Sequence, residues 1–519
     1  MAKKWGSLIV LTFLFLHNVF AISTKATAES TSELKAPAIT FKILTDVTMA
    51  PLLKQAAERA KRRAVASDQL IDPTKMSKEY TSFRDRFINA KSPDDVAREV
   101  AFLEKGYSDF PLDLQYFAAQ MIPIKAFRGI VYRMVPLAEK ENITHSALLT
   151  TVQGFVEQMG IYIPKDHAKA LLDYLLSPYV TEDNSIVTQI KSSADLQRYV
   201  AQEVIPMTSN AIFRLQEIQI GNNDVIWDNT IIYGNTAFLD DIRRYRIIAD
   251  VDRYAAIAHL HSALAHLCFL DAYNLDRLSE LLKDEGKLVG LDGFLAKKIE
   301  GATSLDRAEV MQKERYEKLF VTTNYANTKE WMALSFTNLE QSIRNIRLVW
   351  NETKNRPAEE FAILDSTKVI PWEKDIEINL SIAEVIMEGK AQIRSAVSGE
   401  KLTINLPGFF ENPPKDLKKL LPIVPANWKK TDRYAYLKLP PNVKNPNNRS
   451  YDDLEGNPGT NKKDFQYRNY YHGQAKEWNL DAYKTLFPEL ASGKDIKKAV
   501  RILSETWNSS QVTAISFMQ

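Results

Sequence analysis

Four side chains able to bind a metal fall within ten residues of one another: His259, His261, His266 and Cys268. They sit in a run from Tyr254 to Leu270 that holds no Asp, Glu, Lys or Arg. Imidazole and thiolate are the ordinary ligands of zinc, and imidazole of haem iron. Helix geometry separates them. At 100° per residue His259 and His261 point about 200° apart, and His259 and His266 share a face but stand about 10.5 Å apart along the axis. A zinc–nitrogen bond is only about 2 Å long, and neither pair has the i, i+4 spacing that lets two ligands meet. The spacing therefore predicts a buried helix whose histidines are hydrogen-bonded in the core, with neither metal nor cofactor.

Acid–base chemistry has one other source. Asp240, Asp241, Asp250 and Asp252 flank Arg243, Arg244, Arg246 and Arg253, and paired carboxylates can hydrolyse glycosidic bonds. Charges of opposite sign this closely interleaved point instead to a solvated or interhelical salt-bridge face. The chain lacks a phosphate-binding loop, GxGxxG, GxSxG and HExxH. Its two SxxK strings, at Ser32 and Ser398, fall in a polar tail and beside a glycine turn rather than at a helix start.

Recognition chemistry is concentrated near residue 470. Phe465 to Gly473 reads FQYRNYYHG, with Lys462 and Lys463 before it and Trp478 after. Aromatic faces stack on sugars and bases, and adjacent cations pair with phosphate or carboxylate. Lys462, Lys463, Tyr467, Arg468, Tyr470 and Tyr471 are the candidate binding residues. The competing reading is that these rings clamp a loop-rich lobe onto the body. The window from Lys401 to Gly473 contains nine of the 22 prolines, and its thirteen Lys and Arg against seven Asp and Glu give a local charge of +6. The whole chain carries only +2, which gives no general attraction for nucleic acid.

The elements that must position these residues are helical. Glycine numbers 18 in 519 residues, about half the usual ~7%, which disfavours folds built on tight glycine turns. Ser92-Pro93-Asp94-Asp95 opens a helix whose apolar face is Val96, Val100 and Leu103 and which Lys105 and Gly106 close. Leu148, Val152, Phe155 and Met159 form a second stripe, opened by Thr144 and stopped by Gly160; Asp166 opens a third that ends before Pro178. Between Pro206 and Pro357 there is no proline. There, Ile212–Ile220 and Val225–Tyr233 suggest a β-hairpin around Gly221. Met332, Phe336, Leu339, Ile343, Ile346 and Trp350 mark a seam that packs one helix along another within the molecule. The expected fold is mainly α: an irregular multi-helix body, with which a degenerate helical solenoid is compatible, a short hairpin excursion and a proline-rich C-terminal lobe. That lobe should hold short strands, a short helix near Asp416–Leu421 and a last helical stretch from Asp495 to Trp507.

The N-terminus resembles an export signal, with Lys3 and Lys4 before an apolar run from Leu8 to Phe20 too short to span a bilayer. Cleavage is expected after Ala28, with Ala21 as the alternative. Cys268 is the single cysteine, so no intramolecular disulfide and no lipoprotein cysteine is available. These features predict segments 1–28 (signal peptide), 29–40 (tail), 41–210 and 211–360 (helical regions) and 361–519 (C-terminal lobe). The functional expectation is a periplasmic or secreted bacterial envelope protein, without a transmembrane segment beyond the signal. It would act as a binding or scaffold component on an envelope protein or an anionic or glycan polymer. The alternative is an enzyme acting on an envelope polymer through dispersed carboxylates.

Overall fold

A computed structural model describes residues 35–38, 40–65, 72–140, 165–221, 225–233, 244–278, 280–281, 304–356, 373–389, 391–395, 399–424, 477–496, 498–499 and 502. The protein is mainly α-helical. In chain order the first elements are α1 (Asp46–Val65), α2 (Lys78–Ile88), α3 (Pro93–Lys105), α4 (Leu112–Met121), α5 (Ile130–Lys140), α6 (Lys165–Leu176), α7 (Ser193–Tyr199) and α8 (Ile205–Glu217). Next come β1 (Val225–Asp228), α9 (Thr230–Tyr233), β2 (Tyr245–Ile248), α10 (Asp250–Asp271), α11 (Ser304–Met311) and α12 (Tyr325–Thr353). The C-terminal elements are α13 (Glu373–Glu388), β3 (Ala391–Arg394), β4 (Lys401–Ile404), α14 (Leu406–Glu411) and α15 (Leu480–Tyr483). The signal-like segment, the stripe from Thr144 to Gly160, both SxxK serines and most of the expected terminal helix lie outside the described residues.

Local signals explain where helices begin. Ser92 accepts from the Asp95 amide at 3.2 Å, Asp95 accepts from the Ser92 amide at 3.0 Å, and Pro93 takes the first helical position of α3. Val96, Val100 and Leu103 are buried, as their spacing predicts. Between α7 and α8 the helix opens into a π-turn over Val200–Val204. Pro206, two residues on, has no amide hydrogen to continue the regular pattern there.

The expected hairpin is corrected in its pairing. Val225–Asp228 does form a strand, but its antiparallel partner is Tyr245–Ile248, with Val225 opposite Ile248 and Asp228 opposite Tyr245. Residues 212–217 belong to α8, where Ile205, Ala211, Ile212 and Leu215 recur at helical spacing and bury one face. A second two-stranded sheet joins β3 to β4, with Ala391 opposite Ile404. Near the expected short helix, Asp416 caps a 3-10 turn over Leu417–Leu420.

The long antiparallel pair α10–α12 forms the axis of the body. Three hydroxyls spaced seven residues apart on α12 donate to three alanine carbonyls spaced seven apart, two on α10 and the third at its C-cap. Thr328 Oγ1 reaches Ala272 O at 2.9 Å, Ser335 Oγ reaches Ala265 O at 2.7 Å, and Ser342 Oγ reaches Ala258 O at 2.8 Å. Alanine and serine let the two backbones approach closely, and the heptad spacing keeps the contact in register along both helices. A line of small and polar side chains thus runs along the contact with α10, beside the apolar seam read from the sequence. Of that seam, Met332, Ile346 and Trp350 are buried, whereas Phe336, Leu339 and Ile343 are half-buried. Ile346 and Trp350 meet Ile376 and Leu380 of α13, and Phe336 packs against Phe410 of α14, ring centres 5.3 Å apart. The apolar seam therefore does pack within the molecule, largely against later elements. One hydrophobic core extends from Phe41 through α10 and α12 to Phe410. Among the described residues no helix is long and apolar enough to cross a membrane.

Candidate functional site

Lys462, Lys463, Tyr467, Arg468, Tyr470 and Tyr471 lie outside the described residues, as do Asp240, Asp241 and Arg243. The chain on either side of 425–476 is described, and its two ends meet. Ile423 N donates to Glu477 O at 2.8 Å, and Pro422 pairs antiparallel with Trp478. Trp478 and Ile496 are buried together, with Val424, Leu480, Tyr483 and Leu490 packed around them. Tyr483 donates to Leu420 O. A Cβ on Gly493 would stand 2.0 Å from the Trp478 carbonyl, so only glycine allows this approach.

This stem is anchored to the helical body. Leu417 N donates to Phe320 O at 3.0 Å and Thr322 N to Lys415 O at 2.9 Å. Tyr273 and Tyr325 donate to the carbonyls of Pro414 and Pro413, at 3.1 and 3.0 Å. One of the thirteen cations in the basic window is used here rather than offered to a partner. Lys418 Nζ donates to Glu317 O at 3.0 Å and to Leu319 O, and lies 3.1 Å from Asp416.

The Asp/Arg cluster differs from the solvated alternative read from its sequence. Asp250, Asp252, Arg246 and Arg253 are buried. Arg253 Nε donates to Asp250 Oδ1 at 2.8 Å, and its Nη1 donates to Leu215 O at 3.1 Å. Gly221 N donates to Asp250 Oδ2 at 3.0 Å. Arg59 of α1 lies 3.6 Å from Asp250 and donates to Glu352 of α12 at 2.9 and 3.1 Å. Four helices, α1, α8, α10 and α12, are thereby tied through one buried charge network. Burial raises the Glu352 carboxyl above its ordinary range, with Arg59 opposing. A second buried acid, Asp228, receives Arg84 Nη1 at 2.7 Å and Arg244 at 3.3 Å, and accepts from Thr230 N at 2.9 Å. These acids join elements of the fold.

The histidines diverge on α10. His261 is buried, His259 is half-buried and His266 is exposed. Asn338 Nδ2 donates to Leu334 O, which turns its Oδ1 toward His261, so His261 Nδ1 donates to it at 2.9 Å. His261 Nε2 is buried with no hydrogen-bond partner among the described residues, and the Phe41 ring stands edge-on at 4.6 Å. Burial lowers the His261 pKa to about 4. Cys268 is buried too, and burial pushes its thiol well above the usual range, the opposite of an activated nucleophile. His266 Nδ1 donates to Ser262 O at 2.7 Å. Among the described residues no group of three His, Cys, Asp or Glu side chains is placed to hold a metal.

Sequence reasoning overlooked Asp271. It directly follows the charge-free run, and both its carboxyl oxygens are buried with no hydrogen-bond partner among the described residues. Burial raises its pKa well above the carboxylate range. An acid in the last turn of a helix opposes the macrodipole, and that position was the available signal. No family model, curated protein or solved structure matches this chain.

Proposed function

We propose that this chain is an exported bacterial envelope protein that acts as a binding or scaffold component, with the basic aromatic segment around Lys462–Tyr471 as its contact surface. The observation that supports this most is the stem. Ile423 and Glu477 are hydrogen-bonded to one another, so the two described ends that flank residues 425–476 stand side by side. A segment so inserted can vary in sequence while the body keeps its contacts. The Lys and Arg side chains it carries would attract an anionic or glycan-bearing partner, and its tyrosines would stack on it. Export follows from the Lys3–Phe20 layout, and the mature chain would then begin near Glu29 or Ile22.

The test is excision. Replacing residues 425–476 with a short glycine–serine linker should leave the melting temperature within about 4 °C of the full chain, the most that roughly 1 kcal/mol shifts a domain of about 150–250 residues, larger bodies shifting less. Binding to peptidoglycan or to lipopolysaccharide vesicles should be lost. Unfolding of the shortened chain would mean that the aromatic run clamps the body, and would refute the reading.

A further inference from the structure

The non-helical segment preceding α1 is held in an unusual way. Gln216 of α8 accepts from Lys42 N at 2.7 Å and donates to Lys42 O at 2.8 Å. Gln341 of α12 does the same for Leu44, accepting from its amide at 2.7 Å and donating to its carbonyl at 3.0 Å. Ser209 of α8 accepts from Thr40 N at 3.3 Å and lies 2.8 Å from the Thr40 hydroxyl. Alternate residues 40, 42 and 44 are thus bound through their backbones, as one edge of a β-ladder would bind an incoming strand. Here side-chain amides of two helices supply both the donor and the acceptor. The residue between the first two contacts, Phe41, is 5% exposed and enters the core against His261. Lys42 pairs with Glu217 at 2.5 Å, while Ile43 points outward, 45% exposed.

Each of these features belongs to a peptide receptor: backbone readout at every second residue, an aromatic pocket, and an acidic group beside a basic position. We propose that residues 40–44 are a detachable ligand of the cleft formed by α8, α10 and α12, and that the same segment of a second copy of this chain takes its place, linking the two. A second copy is the fitting occupant because its strap carries every group the cleft reads. Exchange re-forms the same bonds and requires no new surface, the physical basis of arm swapping. The pivot is Thr45, which bonds to Thr48 in the first turn of α1. In one chain the strap is favoured by its high effective concentration, so linkage should depend on protein concentration.

Three measurements on the full chain decide the matter. A labelled peptide spanning residues 36–46 should bind a Phe41→Ala chain saturably and at least about tenfold more tightly than the unsubstituted chain, whose cleft is filled; a tenfold ratio corresponds to ~1.4 kcal/mol. The same peptide carrying Phe41→Ala should not bind. In the unsubstituted chain the amides of Lys42 and Leu44 should exchange hydrogen by local opening, well before those of α10 and α12. Light scattering should show dimers growing with concentration and disappearing when the peptide is added in excess. Absence of peptide binding to a folded Phe41→Ala chain would overturn the proposal. Exchange of the strap amides only together with α10 and α12, or a monomer at every concentration, would overturn it equally.

Discussion

Replacing Glu352 with alanine is expected to cost about 3–5 kcal/mol of folding stability, the range found when one member of a buried ion pair is removed. Glu352 is 1% exposed and receives both Nε and Nη2 of Arg59. Without it the Arg59 guanidinium, on a side chain only 13% exposed, would keep Asp250 at 3.6 Å as its remaining acid among the described residues. The larger part of the cost is that orphaned charge rather than the lost attraction. Removing both charges with Arg59→Met and Glu352→Leu should therefore recover most of the stability. Urea unfolding read as a shift in midpoint at constant slope checks both variants. A loss under about 1 kcal/mol for Glu352→Ala, the scale of a surface pair, would show that the network does not hold α1 against α12.

The second large effect is a pH dependence. His261 is held neutral in the fold with its pKa lowered to about 4, against 6.5 for the ordinary side chain. The unfolded chain therefore binds the extra proton first as pH falls. The stability contribution of neutral His261 is fully present above about pH 6.5 and declines until about pH 4, by roughly 3 kcal/mol in total. Asp271 acts in the opposite sense. Its raised pKa means that stability falls as pH rises from the ordinary carboxylate range toward the folded value. The two are separated by substitution. His261→Gln, which can still donate toward Asn338, should flatten the stability difference between pH 6.5 and pH 4, whereas Asp271→Asn, which cannot ionise, should stabilise the protein at neutral pH and remove the decline with rising pH. An unchanged acid slope in His261→Gln would show that another group titrates there.

Helices with complete local signals were legible, because caps and punctuation act over a few residues. Ser92, Pro93, Asp95 and Gly106 bound α3 at the positions their chemistry requires. The hairpin was legible only in part, since strand pairing is a long-range choice. Val225–Asp228 was visible as a strand, but nothing local identifies Tyr245–Ile248 as its partner rather than the nearer residues 212–220. The apolar seam of α12 was legible, but the polar line that meets α10 was not, for a physical reason. A search for apolar periodicity finds Phe336 and Ile343 and overlooks Ser335 and Ser342 one position away, whose hydroxyls bond to carbonyls of α10. Asp250 and Arg253 read as an interleaved charge face, which suited an interhelical network, but their burial depends on Arg59 and Glu352, distant in sequence. Of the candidate binding residues the sequence supplied the types and spacing, and the structure adds only that the flanking residues Pro422 and Trp478 pair with one another.

The most direct test of the binding assignment measures association with lipopolysaccharide vesicles and with purified peptidoglycan at two salt concentrations. The Debye length falls from about 10 Å at 0.1 M to about 3 Å at 1 M, so charge attraction fades while stacking persists. Lys462→Ala with Lys463→Ala should weaken binding in low salt only. Tyr470→Ala with Tyr471→Ala should weaken it at both concentrations, with the melting temperature unchanged. A tyrosine variant that melts at a markedly lower temperature, while its folded fraction binds as the unsubstituted chain does, would contradict the account and place those rings in the core.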